Sequence, residues 1–199
     1  SDLLGSGAAH RKPAGRIGFL PGEAEQGEQE QEENKWPAAV VDADGLKLLA
    51  KIKDWNKLLP GPAILTPHPG EMSVLTGMPL DEIQKDRQGI AARFAKEWGH
   101  VVVLKGAFTV IAAPDGRITV IPAATPALAR AGTGDVLAGA IVGLRAQGLE
   151  AFEAAVAGAW IHLQAGLHAA NDLGTTASVL AGDVLDSISE VFSDMGYAT

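Results

Sequence analysis

One stretch constrains this chain more than any other: residues 129–139, Ala-Arg-Ala-Gly-Thr-Gly-Asp-Val-Leu-Ala-Gly, set a small-residue turn and a carboxylate at the head of a helix. Gly132 and Gly134 carry no Cβ, so successive N–H groups are free to converge on one anion. From about Asp135 the sequence turns helical, with Val136, Leu137, Ala140, Ile141 and Leu144 recurring at helical spacing. First-turn amides, the helix dipole and the Asp135 carboxylate then address one small volume. That pairing suits phosphoryl chemistry, in which backbone donors stabilise a transferring phosphate while a carboxylate orients or deprotonates a hydroxyl. A plain helix start, capped by Thr133 or Asp135 and holding no ligand, is the competing reading of the same residues.

The 199 residues, 47% of them hydrophobic, suit one domain with a substantial core. No apolar run approaches the roughly 20 residues needed to span a bilayer, and no basic region followed by an apolar signal segment opens the chain. A cytoplasmic protein without membrane association is expected. The absence of cysteine excludes disulfides, thiolate catalysis and zinc sites built from Cys. The net charge of -8 argues against a general nucleic-acid surface. Six glutamates (Glu23, Glu25, Glu28, Glu30, Glu32 and Glu33) supply most of that charge, leaving the remainder near -2. An acidic substrate therefore meets no strong global repulsion if the acidic run lies away from the site.

Residues 1–37 show no strand or helix period and are read as a long surface loop, mobile around the acidic run. The chain opens without Met, which suggests a C-terminal piece of a longer protein. From Ala38 the pattern changes. Ala38 to Val41 form a short apolar strand running into Asp42 and Asp44, and a helix with Leu46, Leu48, Leu49 and Ile52 follows. Ala63 to Leu65 repeat the strand and lead through Thr66, Pro67, His68 and Pro69 into a short helix with Met72, Val74 and Leu75. One longer helix is expected over 81–98, with Asp81 as its cap. Val101 to Leu104 make a third buried strand ending at Lys105 and Gly106. Thr109 to Ala112 and Ile118 to Ile121, joined by a Gly116 turn, predict a hairpin. The rest is helical and Ala-rich: 135–147, 151–170 and 177–192. Strands alternating with helices, then consecutive helices, predict an α/β layered fold with a mainly parallel central sheet flanked by helices.

In such sheets ligands bind beyond the carboxyl ends of the strands. That rule gathers Asp42, Asp44, Thr66, His68, Lys105 and Thr109 opposite the turn at Gly132 to Asp135. His68, fixed between two prolines at a strand end, is placed as a site residue. Glu71 is read as favouring a helix N-terminus. Asp42 and Asp44 either approach a hydrated Mg2+ beside phosphates or satisfy loop amides. Lys105 either contacts a nucleotide phosphate or covers the sheet edge with its aliphatic stem. His162 and His168 are assigned to packing or solvent. The four tryptophans, scattered along the sequence, make no stacking platform for nucleic acid.

Four runs in order, Val40–Leu46, Leu65–Met72, Leu104–Thr109 and Ala131–Gly139, resemble the nucleotide-dependent NAD(P)H-hydrate dehydratase family, a branch of the ribokinase-like fold. The resemblance covers about Val40 to the C-terminus. It implies repair of NADH and NADPH hydrated at the nicotinamide ring: a nucleotide phosphoryl group activates the ring hydroxyl, and elimination restores the double bond. ADP or ATP, with Mg2+, would serve as cofactor, and NADH-hydrate and NADPH-hydrate as substrates. Carried over by motif, His68 and Asp135 would contact the hydrated dinucleotide. Lys105, Gly106, Ala107, Phe108, Thr109 and Gly134 would hold the adenine nucleotide, and Gly132, Thr133 and Gly134 would form the anion hole. Asp135 would be the catalytic base. A homo-oligomer, with an epimerase domain upstream in the full-length protein, also follows from the resemblance.

Two departures stand against the pattern. Arg130 occupies a position usually small or hydroxylated in the family, where it either adds a phosphate contact or points to solvent. No Gly-Pro-Gly-Leu-Gly turn precedes the Asp42 segment, so the first strands of the domain are expected to be missing. Two alternatives follow: a ribokinase-like kinase of a small vitamin precursor, which the segment at Thr66 to Glu71 disfavours, and a nucleotide-binding fragment without turnover.

Overall fold

The computed structural model describes residues 38–197; the loop expected over 1–37 lies outside the described residues. Five strands form one sheet in sequence order. β1 (Val40–Val41), β2 (Ile64–Leu65) and β3 (Val101–Leu104) are parallel, with Val41 opposite Leu65 and Leu65 opposite Val102. β4 (Val110–Ala112) and β5 (Ile118–Val120) complete the sheet as the antiparallel hairpin that the Gly116 turn predicts. The sheet is thus mixed, its parallel half carrying the strand ends that point toward the site.

Strand alternation sorts the core onto two faces. Leu65, Val102 and Leu104 face one way and pack with Ile90, Ala91, Phe94 and Trp98 of the helix α4 (Arg87–Trp98). Ile64, Val101 and Val103 face the other and pack with Leu137 and Ile141 of α5 (Thr133–Ala146) and Ala155 of α6 (Ala151–Asp172). Helices therefore cover both faces, which is why these short strands read as continuous apolar runs rather than alternating ones. At Gly158 of α6 an added Cβ would lie 2.6 Å from Ile141 Cγ1, so the two helices meet at a position with no room for a side chain.

Two helices expected as single elements are divided. The segment 81–98 splits into α3 (Leu80–Lys85) and α4, with Asp86 between them at φ -140° and ψ 67°. Asp86, not Asp81, is the cap: its carboxylate accepts from Gly89 N at 2.9 Å. The segment 177–192 begins only at Ala181 and breaks at Ser187 into α7 (Ala181–Asp186) and α8 (Ile188–Phe192). The first two helices are α1 (Asp44–Leu49) and α2 (Pro69–Thr76). Trp55 and Trp98, far apart in sequence, are buried and pack with ring centroids 5.0 Å apart. Among the described residues no helix is long and apolar enough to cross a membrane.

Candidate functional site

Three strand ends and one helix start build the site. β1 delivers Asp42, β3 delivers Lys105, and Lys105 Nζ donates to Asp42 Oδ1 at 2.6 Å. Between them β2 continues into Thr66, fully buried, whose hydroxyl donates to Val41 O at 3.3 Å, and then into Pro67 and His68. His68 is the N-cap of α2. Its Nδ1 accepts from Gly70 N at 3.0 Å and Glu71 N at 3.2 Å, while Glu71 Oε2 accepts from His68 N at 2.8 Å. This is a reciprocal capping box, with imidazole in the place usually held by Ser or Thr. A ring nitrogen that accepts two amides carries no proton, so the ring hydrogen sits on Nε2, which lies 3.5 Å from Glu71 Oε1 in a side chain that is half exposed. Glu71 is buried, and its Oε2 also lies 3.8 Å from Lys105 Nζ. It thus joins the cap to the charged pair, a role that its reading as a helix-terminus acid did not include.

Lys105 opens a turn that runs through Gly106 (φ 141°) and Phe108 (φ 54°) to Thr109. Thr109 Oγ1 donates to Gly106 O at 3.0 Å. From α4, Arg87 reaches across with Nη2 donating to Leu104 O at 2.9 Å and Lys105 O at 3.1 Å, and Nη1 donating to Ala107 O. Burial lowers the Arg87 pKa, yet a guanidinium stays protonated in proteins.

The helix start faces these strand ends. Gly132 takes φ 87° as the N-cap of α5, a left-handed value suited to glycine. No side chain caps this helix; Thr133 Oγ1 instead turns back to the Leu128 and Arg130 carbonyls, at 2.8 and 2.9 Å. The N–H groups of Thr133 and Asp135 are used within the turn, by Arg130 O and Gly132 O. Gly134 N, like the N-cap amide of Gly132, has no acceptor among the described residues and is left open at the helix start. A Cβ added to Gly134 would sit 3.4 Å from Lys105 Nζ and 3.7 Å from Asp42 Oδ2, which fixes how closely the helix start approaches the charged pair.

A cavity of about 750 Å³ opens over this junction, within the range of small-molecule sites. Its lining includes His68, Lys105, Gly106, Ala107, Thr109, Thr133 and Gly134, together with the apolar Ile121, Leu128, Leu137 and Leu163. Phe108 and Gly132 do not line it. Asp135, in the first turn of α5, is exposed and also lies off the cavity wall. Arg130 is at the rim and donates to Ala177 O. Asp44 is exposed and pairs with Lys47 at 2.9 Å, apart from the junction. His168 meets Glu190 and Asp194 at the far end of α6.

His162, expected to pack or to face solvent, is buried, and it also lines the cavity. Its pKa is pushed down to about 4, chiefly by burial, with the Lys105 charge adding to the shift and a hydrogen bond to the Thr133 backbone opposing it. Its Nε2 has no hydrogen-bond partner among the described residues. Arg87 was absent from the expected site altogether. No sequence pattern marks it, since its three acceptors lie 17 to 20 residues downstream on another element.

The fold is similar to that of a ribokinase-like superfamily protein of Enterococcus faecalis, with a TM-score of 0.66 at 22% identity over 80% of this chain and 54% of that one, which sets the chain in the ribokinase-like fold class. Residues 22–190 match the family described as NAD(P)H-hydrate dehydratase. The bifunctional NAD(P)H-hydrate repair enzyme Nnr of Moorella thermoacetica is 49% identical over 159 residues, covering 79% of this chain and 29% of that protein. The ADP-dependent (S)-NAD(P)H-hydrate dehydratase of Neisseria meningitidis is 42% identical over 147 residues, covering 73% of this chain and 50% of that one. Among solved structures, the ADP/ATP-dependent NAD(P)H-hydrate dehydratase of Bacillus subtilis, co-crystallised with ATP/Mg2+, superposes with a TM-score of 0.70 at 34% identity. That match covers 79% of this chain and 56% of the other. The chain belongs to the NAD(P)H-hydrate dehydratase family. It spans between 29% and 56% of the length of these relatives.

Proposed function

We propose that this chain takes part in the nucleotide-dependent dehydration of the S-epimers of NADH-hydrate and NADPH-hydrate, restoring NADH and NADPH. The observation that carries the reading is the meeting of Lys105, Gly106 and Gly134 in the wall of one cavity, within the span that matches the family. The named activities of the relatives from Neisseria and Bacillus support it.

In this reading the β-phosphate of ADP, or the γ-phosphate of ATP, lies between Lys105 and the open N–H of Gly134, where an ammonium and a helix start both favour an anion. The terminal phosphoryl group would pass to the hydroxyl of the hydrated ring as its bridging P–O bond breaks and AMP (from ADP) or ADP (from ATP) leaves, and Asp135 would take the hydroxyl proton. Phosphate would then depart with the electrons of the C–O bond while the adjacent ring carbon gives its proton to water and the double bond re-forms. Asp135 is exposed off the cavity wall, which suits a group that faces a second substrate rather than the nucleotide. His68, held by its own cap and with Nε2 beside Glu71 Oε1, would present its half-exposed ring to the hydrated dinucleotide.

Mg2+ fits this arrangement. Two carboxylates, Asp42 and Glu71, surround the single Lys105 ammonium, so an entering phosphate needs further positive charge, and Mg2+ is commonly bound by one or two carboxylates together with phosphate oxygens. Among the described residues no three His, Asp or Glu side chains converge to hold a metal by themselves. Asp42 and Glu71 would therefore hold it jointly with the nucleotide, and the ion would supply charge neutralisation.

The test is recovery of the reduced-nicotinamide absorbance from S-NADH-hydrate with ADP, ATP or neither. Nucleotide-dependent recovery is expected. Phosphorylation of a vitamin precursor without any action on the hydrate would overturn the reading in favour of a small-molecule kinase.

A further inference from the structure

The turn after β3 has its acceptors consumed and its donors left open. Leu104 O, Lys105 O and Ala107 O all accept from Arg87, and Gly106 O accepts from Thr109. Among the described residues no acceptor takes the N–H of Gly106, Ala107 or Phe108. These two facts are coupled, because C=O and N–H point in opposite directions across a trans peptide plane. Turning the Lys105 and Ala107 carbonyls toward Arg87 turns the Gly106 and Phe108 amides away from it, and the Thr109 bond to Gly106 O turns the Ala107 amide away from Thr109. Arg87 is absent from the cavity wall, whereas Gly106 and Ala107 form part of it. The guanidinium also meets the turn at its tightest point: a Cβ on Gly106 would lie 3.0 Å from Arg87 Nη2. Among the described residues no carboxylate lies within ion-pair distance of Arg87, so its charge adds to the positive potential behind the open amides.

We propose that Arg87 is a positioning residue that converts the turn at Lys105 to Thr109 into a donor-only loop for the phosphates of an adenine nucleotide, acting from behind the loop without touching the ligand. The inference rests on the nucleotide reading of this site. Planarity and reach suit arginine to this position, since one guanidinium spans carbonyls on either side of Gly106, which a lysine ammonium, a single compact donor centre, does not do.

The test measures ADP affinity by calorimetry, with unfolding temperature as control, for the wild-type chain and for Arg87→Lys, Arg87→Met and Arg87→Ala. Arg87→Met is expected to weaken ADP by about tenfold or more, the scale of losing charge-assisted hydrogen bonds. Arg87→Lys keeps the charge and loses the span, so it should recover only a minor part. Millimolar guanidinium chloride should partly restore ADP affinity to Arg87→Ala and leave the wild type unchanged, an effect that loss of packing would not produce. In turnover, the KM for ADP should rise much more than kcat falls, since Arg87 touches no reacting atom. If Arg87→Met fails to fold, Arg87→Lys and its KM-to-kcat split decide the matter. ADP affinity within twofold of wild type in Arg87→Lys and Arg87→Met overturns the clamp alone. A wild-type chain that takes up no ADP overturns the nucleotide reading, and the clamp with it.

Discussion

Lys105 Nζ lies 2.6 Å from Asp42 Oδ1, joining the carboxyl ends of β3 and β1 across 63 residues of sequence and across the intervening strand β2. Both side chains are largely buried, at 17% and 12% exposure, so the contact differs from a surface pair worth little. Removing one partner strands the other charge. Lys105→Met and Asp42→Asn are each expected to cost about 3 kcal/mol in urea unfolding. The double variant should cost less than the two together by about 1 kcal/mol or more, the sign of direct coupling. Additive losses would mean that the two groups act independently.

His162 makes stability depend on pH. With its pKa pushed from 6.5 to about 4 in the folded chain, the unfolded state binds the proton first as pH falls. The stability it contributes is therefore complete above about pH 6.5 and is lost progressively toward pH 4, up to roughly 3 kcal/mol. His100, whose pKa burial also lowers, acts in the same direction. His162→Leu should accordingly flatten the acid limb without abolishing it. At pH 7 the variant should lie within about 1 kcal/mol of wild type, because leucine removes an unpartnered buried nitrogen along with the ring. An unchanged slope between pH 4 and 6.5 in denaturant titrations would remove His162 as its source.

Legibility followed the range of the interactions. Val101 to Leu104 announce a buried strand because four consecutive apolar residues suit a strand covered on both faces, and Gly132 with Gly134 announce a helix start because the constraint is local. The break at Asp86 was hidden by an apolar period that continues across it. Ile83, Ile90 and Phe94 all reach the same core, so only the Asp86 to Gly89 bond tells two helices from one. The strand-end rule gathers Lys105 and Asp42 into one place but not into one bond, and it cannot reveal Arg87, which approaches from a helix outside the strand ends. Asp135 was readable as a helix-start carboxylate; that the cavity wall takes in Gly134 and leaves Asp135 exposed depends on the turn at Gly132.

Gly158 sets how closely α5 and α6 approach. A Cβ there would meet Ile141 Cγ1 at 2.6 Å and the Ile141 backbone N and Cα at 3.3 Å, so one side of the contact has nowhere to move. Gly158→Val should lower stability by about 3 kcal/mol through overpacking, read as a fall in unfolding temperature. Gly143→Ala, at a position where a Cβ meets nothing within 4 Å, should raise stability by up to about 1 kcal/mol through helix propensity. Equal responses at the two sites would deny the close packing of α5 on α6.

Asp135→Asn keeps the shape of the first turn of α5 and removes the proton acceptor. If Asp135 is the base, turnover of the hydrate should fall roughly 100-fold or more, since general-base catalysis is worth about 100-fold to 10,000-fold. ADP affinity should change by less than about threefold, because the residue lies off the cavity wall where the nucleotide is proposed to bind. Near-normal turnover in the absorbance assay would move the base elsewhere.

Gly134 separates folding from binding most sharply. Its added Cβ would stand 3.4 Å from Lys105 Nζ and 3.7 Å from Asp42 Oδ2, ordinary contact distances, and its backbone is already helical. The protein therefore tolerates Gly134→Ala, and helix propensity should leave the unfolding temperature unchanged or slightly raised. The methyl group, however, enters the space beside the open amide and the ammonium, where a phosphate oxygen would need to come within about 3 Å of both. ADP affinity should drop by about tenfold or more while the fold is preserved. A variant that binds ADP as tightly as wild type would show that the phosphates do not lie against the start of α5.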